Sequence, residues 1–134
     1  MAEIWASSSA RDTTFTAKLV DVHPCGKAIN ICDGIVRASL RDSLIDPRPL
    51  DPEKVYKFII HVGSTSNLFI KGHQIRVEVS SSNFPLYNRH PNIYSLDEII
   101  ETEDFQLATQ QVYHDAERPS CFILPIIDRK ISGN

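Results

Sequence analysis

Five histidines, His23, His61, His73, His90 and His114, with several serines and 17 Asp and Glu residues, are the groups in this 134-residue chain that could cleave a bond or hold a metal. Each chemistry demands a scaffold that leaves a trace in the sequence. A serine nucleophile of the α/β-hydrolase kind sits in a G-x-S-x-G elbow, because the sharp strand-to-helix turn admits only small flanking residues. None of Gly26, Gly34, Gly63, Gly72 and Gly133 brackets a serine in that pattern. A triad need not be local in sequence, so a Ser/His pair built on His61, His73 or His114 stays open as an alternative. H-x-H and H-E-x-x-H are both absent, and Cys25 and Cys32 have no downstream pair, so no metal signature is written in the residue order. A metal constellation could then come only from facing strands. Phosphate-cradling glycine loops are missing as well. No cofactor is expected.

Two polar stretches carry the remaining candidates. Ser80 to Asn92 follows directly on a strong strand pattern, and Pro85 and Pro91 fix the path of the loop. Its serines and asparagines can satisfy backbone groups locally, which makes a capping loop, while Asn83, Phe84 and Tyr87 are candidates for contact with a partner domain or a substrate cavity. The second stretch, Ala108 to Ser120, offers Tyr113, His114 and Asp115. Neighbours on a strand point to opposite faces, so His114 and Asp115 do not form an acid-base pair there. A polar turn closing a hairpin into Cys121–Ile127 is the expectation for 114–120.

Elements that could position these residues follow from periodicity. Alternation of apolar and polar residues marks Phe15 to Val22, Ala28 to Cys32, Ile35 to Leu40, Tyr56 to Val62, Gln74 to Val79, Leu107 to Tyr113 and Cys121 to Ile127 as strands, at least seven in all. Within Gln74–Val79, Ile75, Val77 and Val79 share one face, which predicts a half-buried strand. Pro24 to Gly26 and Asp33-Gly34 read as hairpin turns, and Pro47, Pro49 and Pro52 place a crossover loop at 43–53. Ser95-Leu96-Asp97-Glu98 fits a capping box, so one short helix or turn is expected within 96–104. Many short strands and almost no helix predict an all-β sandwich or jelly roll over residues 1–134 as a single domain.

Composition narrows the partners. With 14 Lys and Arg against 17 Asp and Glu, the net charge is −3, which argues against general nucleic-acid binding. Apolar runs such as Phe122 to Ile127 fall far short of the ~20 residues that cross a bilayer. The first residues lack a basic region followed by an apolar one, so a cytoplasmic setting is the expectation. Cys25, Cys32 and Cys121 are expected as buried or half-buried thiols. The acids Asp97, Glu98, Glu101, Glu103, Asp104, Asp115 and Glu117 fall between Arg89 and Arg118 with no Lys or Arg among them, which predicts a solvated acidic segment.

The strings SSSNFPLYNRHPN at 80–92 and ATQQVYHDAERPSCFILPII at 108–127 closely resemble the C-terminal domain of the CocE/NonD family of serine hydrolases, related to the X-Pro dipeptidyl-peptidase C-terminal domain. WASSSARDTTFTAKLVDVHPCGKAINICDGIVRASLRDS at 5–43 and VYKFIIHVGSTSNLFIKGHQIRVEVSSSNFP at 55–85 agree, so the resemblance spans almost the whole chain. It implies a jelly-roll β-sandwich of the galactose-binding-domain-like kind. It also implies that ester, amide or peptide hydrolysis belongs to a Ser-His-Asp triad in a separate α/β-hydrolase domain, so no catalytic residue carries over onto this sequence. In the family the jelly roll begins before the segment matched by Ile4 to Ser9, and the expectation is that its opening strands are lacking here. Such a sandwich exposes ladder groups and a strip of inner face. The expected partners are therefore an α/β-hydrolase catalytic domain or subunit, or further copies of the chain in a homodimer or higher oligomer, with neither nucleic acid nor membrane. A stand-alone ligand- or carbohydrate-binding module is the alternative, for which Trp5 and four tyrosines are a poor stacking platform.

Overall fold

A computed structural model describes residues 1–95 and 104–127. The strands among them are β1 (Ala2–Ser8), β2 (Thr14–Val22), β3 (Ala28–Arg37), β4 (Tyr56–Ile60), β5 (Gln74–Ser80), β6 (Gln110–Tyr113) and β7 (Cys121–Phe122). They form two antiparallel sheets, β4-β1-β6 with β7 also on β1, and β3-β2-β5. This is the expected all-β sandwich. No helix of the described residues is long and apolar enough to cross a membrane.

Strand β1 was not among the segments marked by periodicity, yet it is the centre of the first sheet. Ala2, Ile4 and Ala6 alternate inward, but alanine and serine are weak strand formers and mask the signal. Small residues are what the position requires, since Ala2 pairs with Ile60, Ile4 with Phe58 and Ala6 with Tyr56. The sheets meet where Phe15 of β2 packs on Phe58 of β4, ring centroids 4.8 Å apart. Ala17, Ala38, Leu50, Ile60 and Val62 complete that core. Leu50 reaches it from the proline-marked crossover loop, whose path is pinned by the Leu50 N–H on the Arg11 carbonyl at 2.7 Å.

Four expectations are corrected. Asp33-Gly34 is not a turn: both lie inside the continuous strand β3, opposite Lys18 and Ala17. The reason for the glycine is close approach, because a Cβ at Gly34 would stand 2.1 Å from the His61 carbonyl oxygen. The turn is made at Pro24–Gly26 as expected, with Gly26 at φ +87° and its N–H on the His23 carbonyl. Second, residues 114–120 do not close a hairpin between β6 and β7. Both strands pair with β1 in the same direction, Trp5 opposite Tyr113 and Glu3 opposite Cys121, so the segment loops out of one line. Ser120 makes this possible, since its hydroxyl accepts from the Trp5 N–H at 2.9 Å and donates to the Tyr113 carbonyl, bridging the gap in the ladder.

Third, β5 is not half-buried on its apolar face. Val79 pairs with the buried Ala17 and Val77 with Leu19, so they share the inner side of the sheet. Even so, Ile75, Val77 and Val79 are 55%, 43% and 40% exposed, so the described strands of the first sheet leave this edge strand largely uncovered. Fourth, the thiols are free, with Cys25 and Cys121 exposed and only Cys32 half-buried. Cys25 sits in the β2–β3 turn and Cys121 on a two-residue edge strand, where little covers them. Burial pushes the Cys32 thiol up. The helix or turn expected within 96–104 lies outside the described residues apart from Asp104, as do Asp97, Glu98, Glu101 and Glu103.

Candidate functional site

The loop after β5 is built from its anchors outward. Asp33 on β3 accepts hydrogen bonds from the Tyr87 hydroxyl at 3.2 Å and the Asn83 amide at 3.4 Å. The Tyr87 N–H donates to the Asn83 carbonyl, closing a turn between them. Burial and the neighbouring Asp33 charge push the Tyr87 phenol up, which keeps it a neutral donor. Asn83 and Tyr87 are thus brought together as half-buried struts, and the residues between them are held outward. Phe84 and Leu86 are 65% and 62% exposed.

The far end of the loop is tied down through a buried carboxylate. Asn92, at φ +61°, accepts from the Thr13 hydroxyl at 2.8 Å and donates to the Gln106 carbonyl. Beside it, Asp12 is fully buried and accepts from Arg37 Nε at 2.7 Å, the Ser39 hydroxyl at 2.8 Å and the N–H groups of Ser39 and Thr13. His90 Nε2 lies 3.5 Å from the same carboxylate. Burial is the largest single effect on Asp12 and raises it, but the hydrogen bonds from His90, Arg37 and Ser39 together outweigh burial and hold its carboxyl below the ordinary range.

Arg89 lies 5.7 Å from the ring centroids of both Phe84 and Phe105, a cation sandwiched by two aromatic faces. A groove of about 240 Å³ runs alongside, walled by Ser81, Arg89, His90, Phe105 and Leu107. Pockets that enclose a small molecule hold roughly 300–1,000 Å³. An open groove below that range, rimmed by exposed apolar side chains, suits contact with another protein surface better than capture of a ligand.

Tyr113, His114 and Asp115 lie elsewhere, on the outer edge of the first sheet. The Tyr113 hydroxyl lies 3.3 Å from Ser7 Oγ and donates to Gln111 Oε1 at 2.7 Å, and the Arg118 guanidinium covers its ring at 4.1 Å. Asp115 accepts from the N–H groups of Glu117 and Arg118 and pairs with Arg118 Nη2 at 2.6 Å. The hydrogen bond from Arg118 lowers the Asp115 carboxyl. Its carboxylate therefore shapes the loop, and His114 is exposed beside it.

Three groups of functional interest carry no such signal in the residue order. Asp33 stands in a pair with turn chemistry, Asp12 belongs to no pattern, and Asp21, His23 and His73 come together only across strands. Asp12 could not have been found, because Arg37, Ser39 and His90 are scattered along the chain. The last group could have been suggested by a correct β2–β5 register.

A family model described as the X-Pro dipeptidyl-peptidase C-terminal non-catalytic domain matches residues 1–122. Cocaine esterase of Rhodococcus sp. (strain MB1 Bresler) is 45% identical over 128 residues, which are 96% of this chain and 22% of that protein. Among solved structures, an aminopeptidase from the marine sediment archaeon Thaumarchaeota archaeon superposes with a TM-score of 0.83 at 32% identity. An α-amino acid ester hydrolase labelled with selenomethionine does so at 0.80 and 34% identity. Each superposition covers 89% of this chain and 21% of the other, so the chain spans about a fifth of the length of the proteins it matches.

Proposed function

The chain belongs to the family of X-Pro dipeptidyl-peptidase C-terminal non-catalytic domains, and on that premise we propose that residues 1–134 act as one accessory β-sandwich that packs on an α/β-hydrolase catalytic domain and helps close its substrate site. The hydrolase it serves acts on ester or amide bonds, as the names of the esterase, aminopeptidase and amino acid ester hydrolase relatives suggest. The observation that carries this reading is the loop at 83–92. It is held at one end by the half-buried Asp33 and at the other by Asn92 on the buried Thr13, yet presents Phe84 and Leu86 to solvent. A rigid loop with an exposed aromatic anchor loses little entropy on docking, the property of an interface hot spot. Tyr113, His114 and Asp115 form a second contact of the same interface in this reading.

The test is association of this chain with the catalytic portion of a cocaine-esterase-type hydrolase expressed without its own C-terminal region. Phe84→Ala is expected to weaken binding by about tenfold or more, since truncated aromatic anchors cost about 2 kcal/mol. Unchanged binding and unchanged ester turnover in the reconstituted mixture would remove the loop from the interface.

The bare inner face of β5 supports self-association when the hydrolase is absent. Three exposed apolar side chains along an edge strand favour pairing with a second copy. In sedimentation velocity the chain is expected to run above its 15.1 kDa monomer mass as concentration rises. A monomer at every concentration would discard the oligomer and leave the hydrolase contact standing.

A further inference from the structure

The geometry points to a divalent transition-metal site formed by Asp21, His23 and His73, away from the loop at 83–92. Its origin is the register of β2 on β5. Asp21 is opposite Ile75 and Val22 opposite Gln74, so the next pair across the ladder is His23 and His73. Residues two apart on a strand share a face, which puts Asp21 on the same side as His23. Three donors from two segments thus converge at one end of the inner face of the sheet.

The side chains realise what the register allows. His73 Nδ1 is 2.8 Å from Asp21 Oδ1, and the two side chains are only 10% and 8% exposed. The His23 and His73 rings lie 4.2 Å apart between centroids. One ligand atom from each residue falls within 4.8 Å of the other two. Two packed turns hold this arrangement. The His73 N–H donates to the Ile70 carbonyl at 2.9 Å, and a Cβ added at Gly72 would stand 3.6 Å from Pro24 Cγ. The β2–β3 turn and the turn before β5 therefore touch, and the histidines flank the contact.

Two imidazoles and one carboxylate suit Zn²⁺, Co²⁺, Ni²⁺ or Cu²⁺, whereas Ca²⁺ and Mg²⁺ demand more oxygen ligands. Metal–ligand bonds of 2.0–2.2 Å set neighbouring donors roughly 3.4 Å apart, so binding needs a closure on the scale of a side-chain rotation, about 1–1.5 Å. The ion takes the place of the hydrogen between Asp21 Oδ1 and His73 Nδ1, the neutral ring carrying its N–H on Nε2 instead, and a water fills the fourth position. The bound ion would clip the β2–β3 turn to the start of β5, the edge strand least covered by the opposite sheet.

The experiment is titration calorimetry of the untagged, metal-stripped 134-residue chain with ZnCl₂, with CaCl₂ as the control, paired with a thermal melt. One Zn²⁺ per chain is expected, with a rise in Tm of about 5–10 °C at a hundredfold excess over Kd. CoCl₂ should give the visible absorption of a low-coordinate Co²⁺ site. His23→Phe keeps the ring stack and Asp21→Asn keeps the shape, and each is expected to weaken Zn²⁺ binding by about tenfold or more. His114→Gln, on the distant loop, should bind like the unaltered chain. The proposal is overturned if Zn²⁺ gives no saturable binding up to about 1 mM, if folded His23→Phe and Asp21→Asn both retain full affinity, or if His114→Gln abolishes it.

Discussion

Gly34→Ala is expected to lower stability by about 3 kcal/mol, or roughly 10 °C in Tm, in a urea or thermal melt. The added methyl would meet the His61 carbonyl oxygen at 2.1 Å, its carbon at 2.8 Å and Val62 Cα at 3.1 Å. All three are backbone atoms and cannot rotate away. Relief requires β3 to move from the segment that places the buried Val62 in the core, and Gly34 itself pairs with Ala17 at the centre of β2. Gly26→Ala is the matched control. Its position also excludes a side chain, but through a φ of +87° in open space, which costs about 1 kcal/mol. Equal losses at the two positions would mean that β3 does not press on residues 61–62.

Removal of the Asp12 carboxylate is expected to cost about as much. Asp12→Ala strips the acceptor from the buried Ser39 and Thr13 N–H groups, from the Ser39 hydroxyl and from Arg37, and leaves His90 without its anchor. Loss of one member of such a network costs about 3 kcal/mol or more. The damage should reach the interface, because His90 and Asn92 hold one end of the loop that presents Phe84. Acid unfolding gives a second readout. A carboxylate whose folded-state pKa is depressed contributes stability that is full above its unfolded value near 3.9, and loses it as pH falls through the lower folded value. The unaltered chain should therefore lose urea resistance more steeply below about pH 4 than Asp12→Asn. Asp51 and Asp115 are also lowered, by hydrogen bonds from Lys54 and Arg118. Both are exposed, so solvent screens them, and both persist in the variant. Parallel pH curves for the two proteins would show that Asp12 is not the charged hub.

Part of the loop at 83–92 was legible before any fold was known. Phe84, expected to face outward, is exposed, whereas Tyr87, expected beside it, is half-buried on Asp33, and Leu86, which carried no expectation, is exposed instead. What held the loop was not legible, because Asp33 in an Asp-Gly pair carries turn chemistry as strong as any in the chain. That local preference yields to the β2–β3 ladder, where Gly34 is wanted for what it lets approach. The polar turn expected at 114–120 is there, with His114 bridging Pro119, but β6 and β7 both pair with β1 rather than with each other, and the Ser120 hydroxyl accepts from the Trp5 N–H between them.

Local residue order was enough for the all-β class, most strand positions, the turn at Pro24–Gly26 and the position of the crossover loop. Each depends on residues within a few positions of one another, through alternation, fixed proline φ and glycine in the left-handed region. Tertiary structure alone decided which strands share a sheet, that Asp12 is buried among partners from distant segments, and that Asp21, His23 and His73 meet. It also decided that Ile75, Val77 and Val79 lie open. Alternation encodes which face of a strand is apolar, but whether another sheet covers that face is a property of the whole chain's packing, and here the described strands of the first sheet leave it largely uncovered.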